Sequence, residues 1–215
     1  MTILAADLDN DRYERVEMDS DLSGLELGAF LFSEFSKGDP IVIIPPPADC
    51  LRFSGSAVFS IIYKSPISGR MSLSYSSFAP GLSLRLFGYD AVVVSGKAGS
   101  LSMLSVGSDG AERSVAVQYS GLSALAFEEA ARKNVGDVFL SVGRAAENGV
   151  LFSSLQSGGR ELQGAGLGYV FASKRIKGIS FPSFPRKDLL GSGHEERRCR
   201  MRMERGRMAK RIRKE

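Results

Sequence analysis

Few residues in this 215-residue sequence have the types and spacing for chemistry. His194 is the only histidine, which excludes histidine-based triads and multi-histidine metal sites. Cys50 and Cys199 are the only cysteines, whereas an iron–sulfur cluster normally takes four ligands, so no cluster is expected on this chain. Two stretches remain. Residues 63–81, YKSPISGRMSLSYSSFAPG, read as a strand, a tight turn and a second strand that runs into a small-residue loop suited to close approach by a ligand. The loop offers the hydroxyls of Ser74, Ser76 and Ser77 but no glycine, cation or metal ligand within SYSSF. Residues 164–175, GAGLGYVFASKR, place Gly164, Gly166 and Gly168 where a turn enters a helix, a pattern that can cradle phosphate on backbone N–H groups. Each feature also has a plainer reading. The serines form a solvated loop, the glycines serve packing, Lys64 and Lys174 are structural, Cys50 is an inert thiol and His194 has no specific role.

The elements that must position these stretches are mostly strands. Residues 2–7 and 12–18 alternate loosely about Asn10, Asp11 and Arg12 and predict a hairpin. Leu27, Phe30, Leu31 and Phe35 share one helical face, with Gly38 and Pro40 as stop signals. Residues 40–44 form a fully apolar strand closed by Pro45–Pro47. Strands are predicted over 57–64 and 70–75, a short helix over 81–88 and a buried strand from Ala91. LSMLSVG and RSVAVQY predict a hairpin around SDGAE. SALAFEEAARKNVGD predicts a helix with Glu128–Arg132 and Glu129–Lys133 as i,i+4 pairs and Gly136 just past its end. VFLSVG and KGISF predict two further strands. Hairpins outnumber βαβ units, so the expected class is α+β.

Composition divides the chain. Residues 186–215 carry 12 Lys and Arg against 5 Asp and Glu, which leaves 16 against 19 in the first 185 residues. A mildly acidic body of residues 1–184 is therefore expected to precede a basic, disordered tail of residues 185–215 with few branched apolar residues. Nucleic acid is not an expected partner except through that tail. The tail also fits docking on an acidic partner, or an accidental out-of-frame extension. No secretory signal and no run of about 18 apolar residues is visible, so no membrane partner is expected. Two distant cysteines suggest reduced thiols and a cytoplasmic location. The 24 glycines predict many turns or close backbone approaches.

Four phrases in register resemble the N-terminal domain of tungsten-containing aldehyde:ferredoxin oxidoreductases. They are YKSPISG (63–69), FGYDAVVVSGKA (87–98), VGRAAENGVLFSS (142–154) and GAGLGYVFASKRIKGI (164–179), and the resemblance runs over roughly residues 2–182. It implies a strand-rich α+β domain that supports a tungsten bis-molybdopterin cofactor on its surface. In such enzymes the cluster cysteines, the remaining pterin contacts and the substrate cavity come from other domains.

Carried over by position, the resemblance makes Tyr75, Ser76, Ser77, Gly164, Ala165 and Gly166 the cofactor-binding candidates. It assigns no catalytic residue and no metal-ligating side chain. The backbone carbonyls of Tyr75 and Ala165 stand where the family helps hold a magnesium between pterin phosphates. Several side chains depart from the pattern. Ser56-Ala57-Val58 replaces Gly-Gly-Arg, and Tyr75-Ser76-Ser77-Phe78 replaces Asn-Ser-Gly-Gly. Leu162-Gln163-Gly164-Ala165-Gly166 replaces Ala-Gly-Arg-Gly-Gly, and Leu25-Glu26 replaces Arg-Gly. Charge-assisted bonds from arginine contribute roughly 1.5–3 kcal/mol each, so their loss weakens the hold on a polyanion. The resemblance thus implies a pterin-base domain that is inactive alone and completed by a separately encoded catalytic half, which would connect to ferredoxin. Two alternatives stand beside it: a non-catalytic scaffold that kept the fold and lost the cofactor, and a truncated, degenerate gene product.

Overall fold

The computed structural model describes residues 1–46, 58–77, 79–133, 137–162 and 164–182. Expectations that rest on Pro47, Cys50, Ser56, Ala57, Phe78, Gly136, Gln163, His194 and the tail from residue 185 fall outside them.

Twelve strands among the described residues form two six-stranded mixed sheets. The first uses β1 (Thr2–Asp7), β2 (Arg12–Glu17), β3 (Ile41–Ile44), β4 (Val58–Lys64), β5 (Met71–Ser77) and β6 (Ala91–Ser95), in the order β2-β1-β6-β3-β4-β5. The second uses β7 (Ser102–Gly107), β8 (Gly110–Val115), β9 (Val138–Val142), β10 (Leu155–Ser157), β11 (Arg160–Leu162) and β12 (Ile176–Phe181), in the order β11-β10-β9-β12-β7-β8. The two halves share one connectivity. Each begins with a hairpin, passes through a helix into a three-strand antiparallel meander, and returns through a second helix. The last strand of each half then inserts parallel to the first strand of its hairpin, as β6 does on β1 and β12 does on β7. The α+β expectation holds.

The helices are α1 (Gly24–Glu34), α2 (Ala79–Leu86), α3 (Ala124–Ala131), α4 (Arg144–Glu147) and α5 (Leu167–Ser173). Leu4, Ile43, Phe59, Ile61, Val92 and Val94 of the first sheet face Leu104, Val106, Leu140, Val142, Ile179 and Phe181 of the second in the main core. On the outer face of the first sheet, Leu27 and Leu31 of α1 pack on Val42, Ile44, Ile62 and Val93. On the outer face of the second, Phe127 and Ala131 of α3 pack on Met103 and Phe139. The order is therefore helix, sheet, sheet, helix. With both faces covered, β3 and the first four residues of β6 are buried throughout, which explains their unbroken apolar sequences. Helices α2 and α5 each touch strands of both sheets and so close the sides of the sandwich.

Local differences from the sequence expectations have physical causes. The β7–β8 turn is only Ser108-Asp109, because Gly107 pairs directly with Gly110. The second strand stops at Val115, and residues 117–119 form a 3-10 turn. Helix α2 starts at Ala79 and ends at Leu86, two residues ahead of the expected span at each end. Helix α3 ends at Ala131, with Arg132 already extended, so Lys133 lies outside the helix. Glu128 is not solvated, although Arg132 still acts on its charge. It is buried, and its carboxylate accepts from Ser141 Oγ at 2.6 Å and from the Gly158 amide at 3.0 Å. Burial raises its pKa, opposed by those two hydrogen bonds.

Candidate functional site

The site region is built where the edge of the first sheet meets the loop that enters α5. Lys64 ends β4, and Ser65 organises the turn that follows. The Ser65 amide donates to Arg70 O and the Gly69 amide to Ser65 O, both at 2.9 Å. Ser65 Oγ accepts from the amides of Ile67 and Ser68 at 3.2 and 3.3 Å. The same hydroxyl donates to the carbonyl of Ala165 at 2.9 Å, which ties the turn to the glycine loop.

Strand pleating sorts the serine stretch onto two faces. In the β4–β5 register Ser74 lies opposite Ile61, Ser76 opposite Phe59 and Tyr75 opposite Ser60. Directly paired residues share a face, so Ser74 and Ser76 point into the space between the sheets, as Phe59 and Ile61 do. Tyr75 points to the other face and is 53% exposed. Ser77 pairs with Val58 at the end of the strand. The structure thus brings Ser74 together with Gly164 and Ala165 and turns the Tyr75 ring away from them.

The glycines have packing reasons. A Cβ on Gly164 would lie 2.5 Å from Ser74 Oγ and 2.6 Å from Tyr63 Oη. Gly166 has φ +84°, and its Cβ would lie 2.1 Å from Leu151 O and 2.6 Å from Pro66 Cγ. The Gly168 amide donates to Ser153 O at 3.0 Å, so one amide of the first turn of α5 is already engaged. The Tyr63 hydroxyl is buried without a hydrogen bond of good geometry. Burial raises its pKa, and the facing Ala165 backbone and Ser74 hydroxyl oppose that rise.

The two lysines differ. Lys64 forms a 3.3 Å ion pair with Asp39 in which both side chains are more than half exposed, a contact that contributes little. Lys174 is 5% exposed and bridges the sheets, with Nζ donating to Gly38 O at 2.8 Å and Gly96 O at 3.0 Å. Desolvation lowers its pKa to about 8, against the opposing pull of Asp39 and Asp9.

Two six-stranded sheets of repeated connectivity, with a glycine loop pinned to a Lys-Ser-Pro turn, define a known class of domain. Residues 3–183 match the family described as aldehyde ferredoxin oxidoreductase, N-terminal domain. The chain belongs to this family. It is 28% identical over 163 residues to a tungsten-containing aldehyde ferredoxin oxidoreductase of Pyrococcus abyssi, covering 74% of this chain and 27% of that protein. An aliphatic sulfonate oxidoreductase, WOR-like subunit, of Pyrococcus furiosus is 24% identical over 207 residues, covering 82% and 33%. In the active site complex BamBC of benzoyl coenzyme A reductase, solved with 1,5-dienoyl-CoA, one chain superposes with a TM-score of 0.77 at 22% identity. That superposition covers 85% of this chain and 30% of the other, and it establishes the fold. The chain spans about a quarter to a third of these proteins' lengths.

The described residues fit a phosphate-bearing pterin group only in part. One lone pair of the Ala165 carbonyl is taken by Ser65 and the second can accept another partner. Ser74 is fully buried between the sheets and Ser76 partly so, and no described arginine stands where the family's phrases carry one. Arg160 on β11, four residues before Gly164, is a cation that the motif comparison did not single out. Two other features were missed from sequence: the burial of Lys174 and the role of Ser65 as a tether. The Lys-Ser-Pro phrase was the available signal for the second.

Proposed function

We propose that this chain is the pterin-supporting base of an aldehyde ferredoxin oxidoreductase-type enzyme and works with a second polypeptide that supplies the rest of the site. The observation that carries this reading is the apolar face beside the glycine loop. Leu151 and Pro66 flank Gly166, and their neighbours Phe152 and Ile67 are 78% and 57% exposed. Contiguous exposed apolar residues mark surfaces that a partner covers. Two similar proteins, one named as a subunit and one solved as a complex, support an assembled enzyme.

Under this reading Ser76, Gly164 and Ala165 support the cofactor through backbone and hydroxyl contacts, and the completing polypeptide supplies the cations. A bound tungsten pterin would supply the redox chemistry of aldehyde oxidation. In such an assembly ferredoxin would be the electron acceptor, in the cytoplasm. The tight closure of the glycine loop by Ser65 favours a second reading, a scaffold that holds its shape without a cofactor.

Expression of the chain alone and with its co-purifying polypeptide, followed by metal analysis and pterin fluorescence, separates the readings. The expected result is substoichiometric tungsten or molybdenum alone and stoichiometric metal with pterin in the complex. A stable metal-free complex overturns the proposal in favour of the scaffold. A full metal complement on the isolated chain removes the need for a partner.

A further inference from the structure

A cleft of about 560 Å³ opens between the 3-10 turn at 36–38, the end of β4, the loop after β6 and the end of α5. Four lysines from these four places line it: Lys37, Lys64, Lys97 and Lys174. Two carboxylates, Asp9 and Asp39, line it as well. Both are engaged: Asp39 pairs with Lys64, and Asp9 accepts from the Lys97 amide at 3.0 Å. Among the described residues Lys37 and Lys97 have no carboxylate partner for their ammonium groups.

Lys174 makes the cleft more than a gathering of surface charge. Its ammonium is held between Gly38 and Gly96, which both line the cleft. An ammonium has three donors, and these two carbonyls use two of them. The carbonyl partners carry no formal charge, and Asp39 and Asp9 act on this nearly buried ammonium only at a distance, so an anion in the cleft would complete its neutralisation.

We propose that this cleft is a binding site for the phosphate group of a small molecule. Lys174 forms its floor, and Lys37 and Lys97 close over the charged group. The volume falls within the range of small-molecule sites and exceeds what a single ion needs. Lysine ammoniums act on phosphate as point charges and need no planar fork. None of its four lysines belongs to the candidate cofactor contacts, and the cleft meets the glycine-loop tether only at Ser65 and Pro66.

The test is calorimetric titration of the full chain with inorganic phosphate, pyrophosphate and sulfate at matched ionic strength. Saturable binding of phosphate or pyrophosphate with Kd of about 1 mM or tighter is expected, with sulfate weaker. At pH 8 the signal should depend on the ionisation enthalpy of the buffer, because a bound anion draws a proton onto Lys174. The double variant K37E/K97E changes two exposed residues and should fold normally while losing at least about tenfold in affinity. Lys174→Met should abolish the buffer dependence; if that variant fails to fold, K37E/K97E decides the matter. Non-saturable heats, or equal binding to wild type and K37E/K97E, overturn the site. Equal affinity for sulfate and phosphate reduces it to an adventitious ion only.

Discussion

Ser65 donates its hydroxyl to the carbonyl of Ala165, a residue 100 positions away, at 2.9 Å. That one oxygen also accepts two amides of its own turn. Removing it leaves a carbonyl and two N–H groups to find water in a half-covered place. Ser65→Ala should therefore destabilise the chain by about 1–3 kcal/mol. Urea denaturation followed by circular dichroism measures this, and a loss below about 0.5 kcal/mol contradicts a tethering role.

Gly164 and Gly166 should differ in their tolerance of a methyl group. At Gly164 the obstructing atoms are the hydroxyls of Ser74 and Tyr63. The serine can rotate away. At Gly166 the obstruction is the backbone oxygen of Leu151, and φ is positive as well. Gly166→Ala should cost at least about 3 kcal/mol and Gly164→Ala about 1–2 kcal/mol. Thermal melts of the two variants check the order, and a reversed order means that the loop is held by something other than these contacts.

Parts of this architecture are legible in the residues and parts are not. The hairpin of β1 and β2 shows as alternation about a polar turn, and β3 and β6 show as unbroken apolar runs because both sheet faces are covered. The hairpin of β10 and β11 escaped, although Gly158 and Gly159, both at positive φ, carried a turn signal. Its strands are too short to display a period. The repeated connectivity of the two sheets leaves no mark, because topology is shared without shared residues. Glu128 reads as a helix-surface charge until Ser141 arrives from the neighbouring strand. Lys174 reads as a structural lysine, but its burial is not legible, since its carbonyl partners lie 136 and 78 positions away. Of the candidate site, the glycine loop and the Lys-Ser-Pro turn were found, but the pleat that turns Tyr75 away from them requires the register.

Lys174 makes stability depend on alkaline pH in a defined direction. Its folded pKa is about 8, below the ordinary lysine value of 10.5. Below pH 8 the ammonium is charged in both states, and the cost of burying it is fully present. Between about 8 and 10.5 the unfolded chain holds more protons than the folded one, so this residue's contribution to stability rises with pH. Neutral Lys174 keeps two N–H donors, enough for both Gly38 and Gly96. The rise should vanish in Lys174→Met, compared by urea denaturation at pH 7.5 and at pH 10 with the wild type alongside. A wild-type curve that falls as steeply as the variant's contradicts the lowered pKa.

Phe152 offers the sharpest test of assembly. Its ring is 78% exposed beside Leu151, whose carbonyl lies against the glycine loop. A ring so placed adds almost nothing to the stability of the isolated chain, so Phe152→Asp should shift it by no more than about 0.5 kcal/mol. If the proposed partner covers this face, the same position would lie in a desolvated contact, where a carboxylate would find no partner. Affinity for the co-purifying polypeptide should then fall by at least about tenfold, read by titration of the two purified components. Unchanged affinity would move the interface away from the glycine loop and would separate the candidate cofactor face from the assembly face.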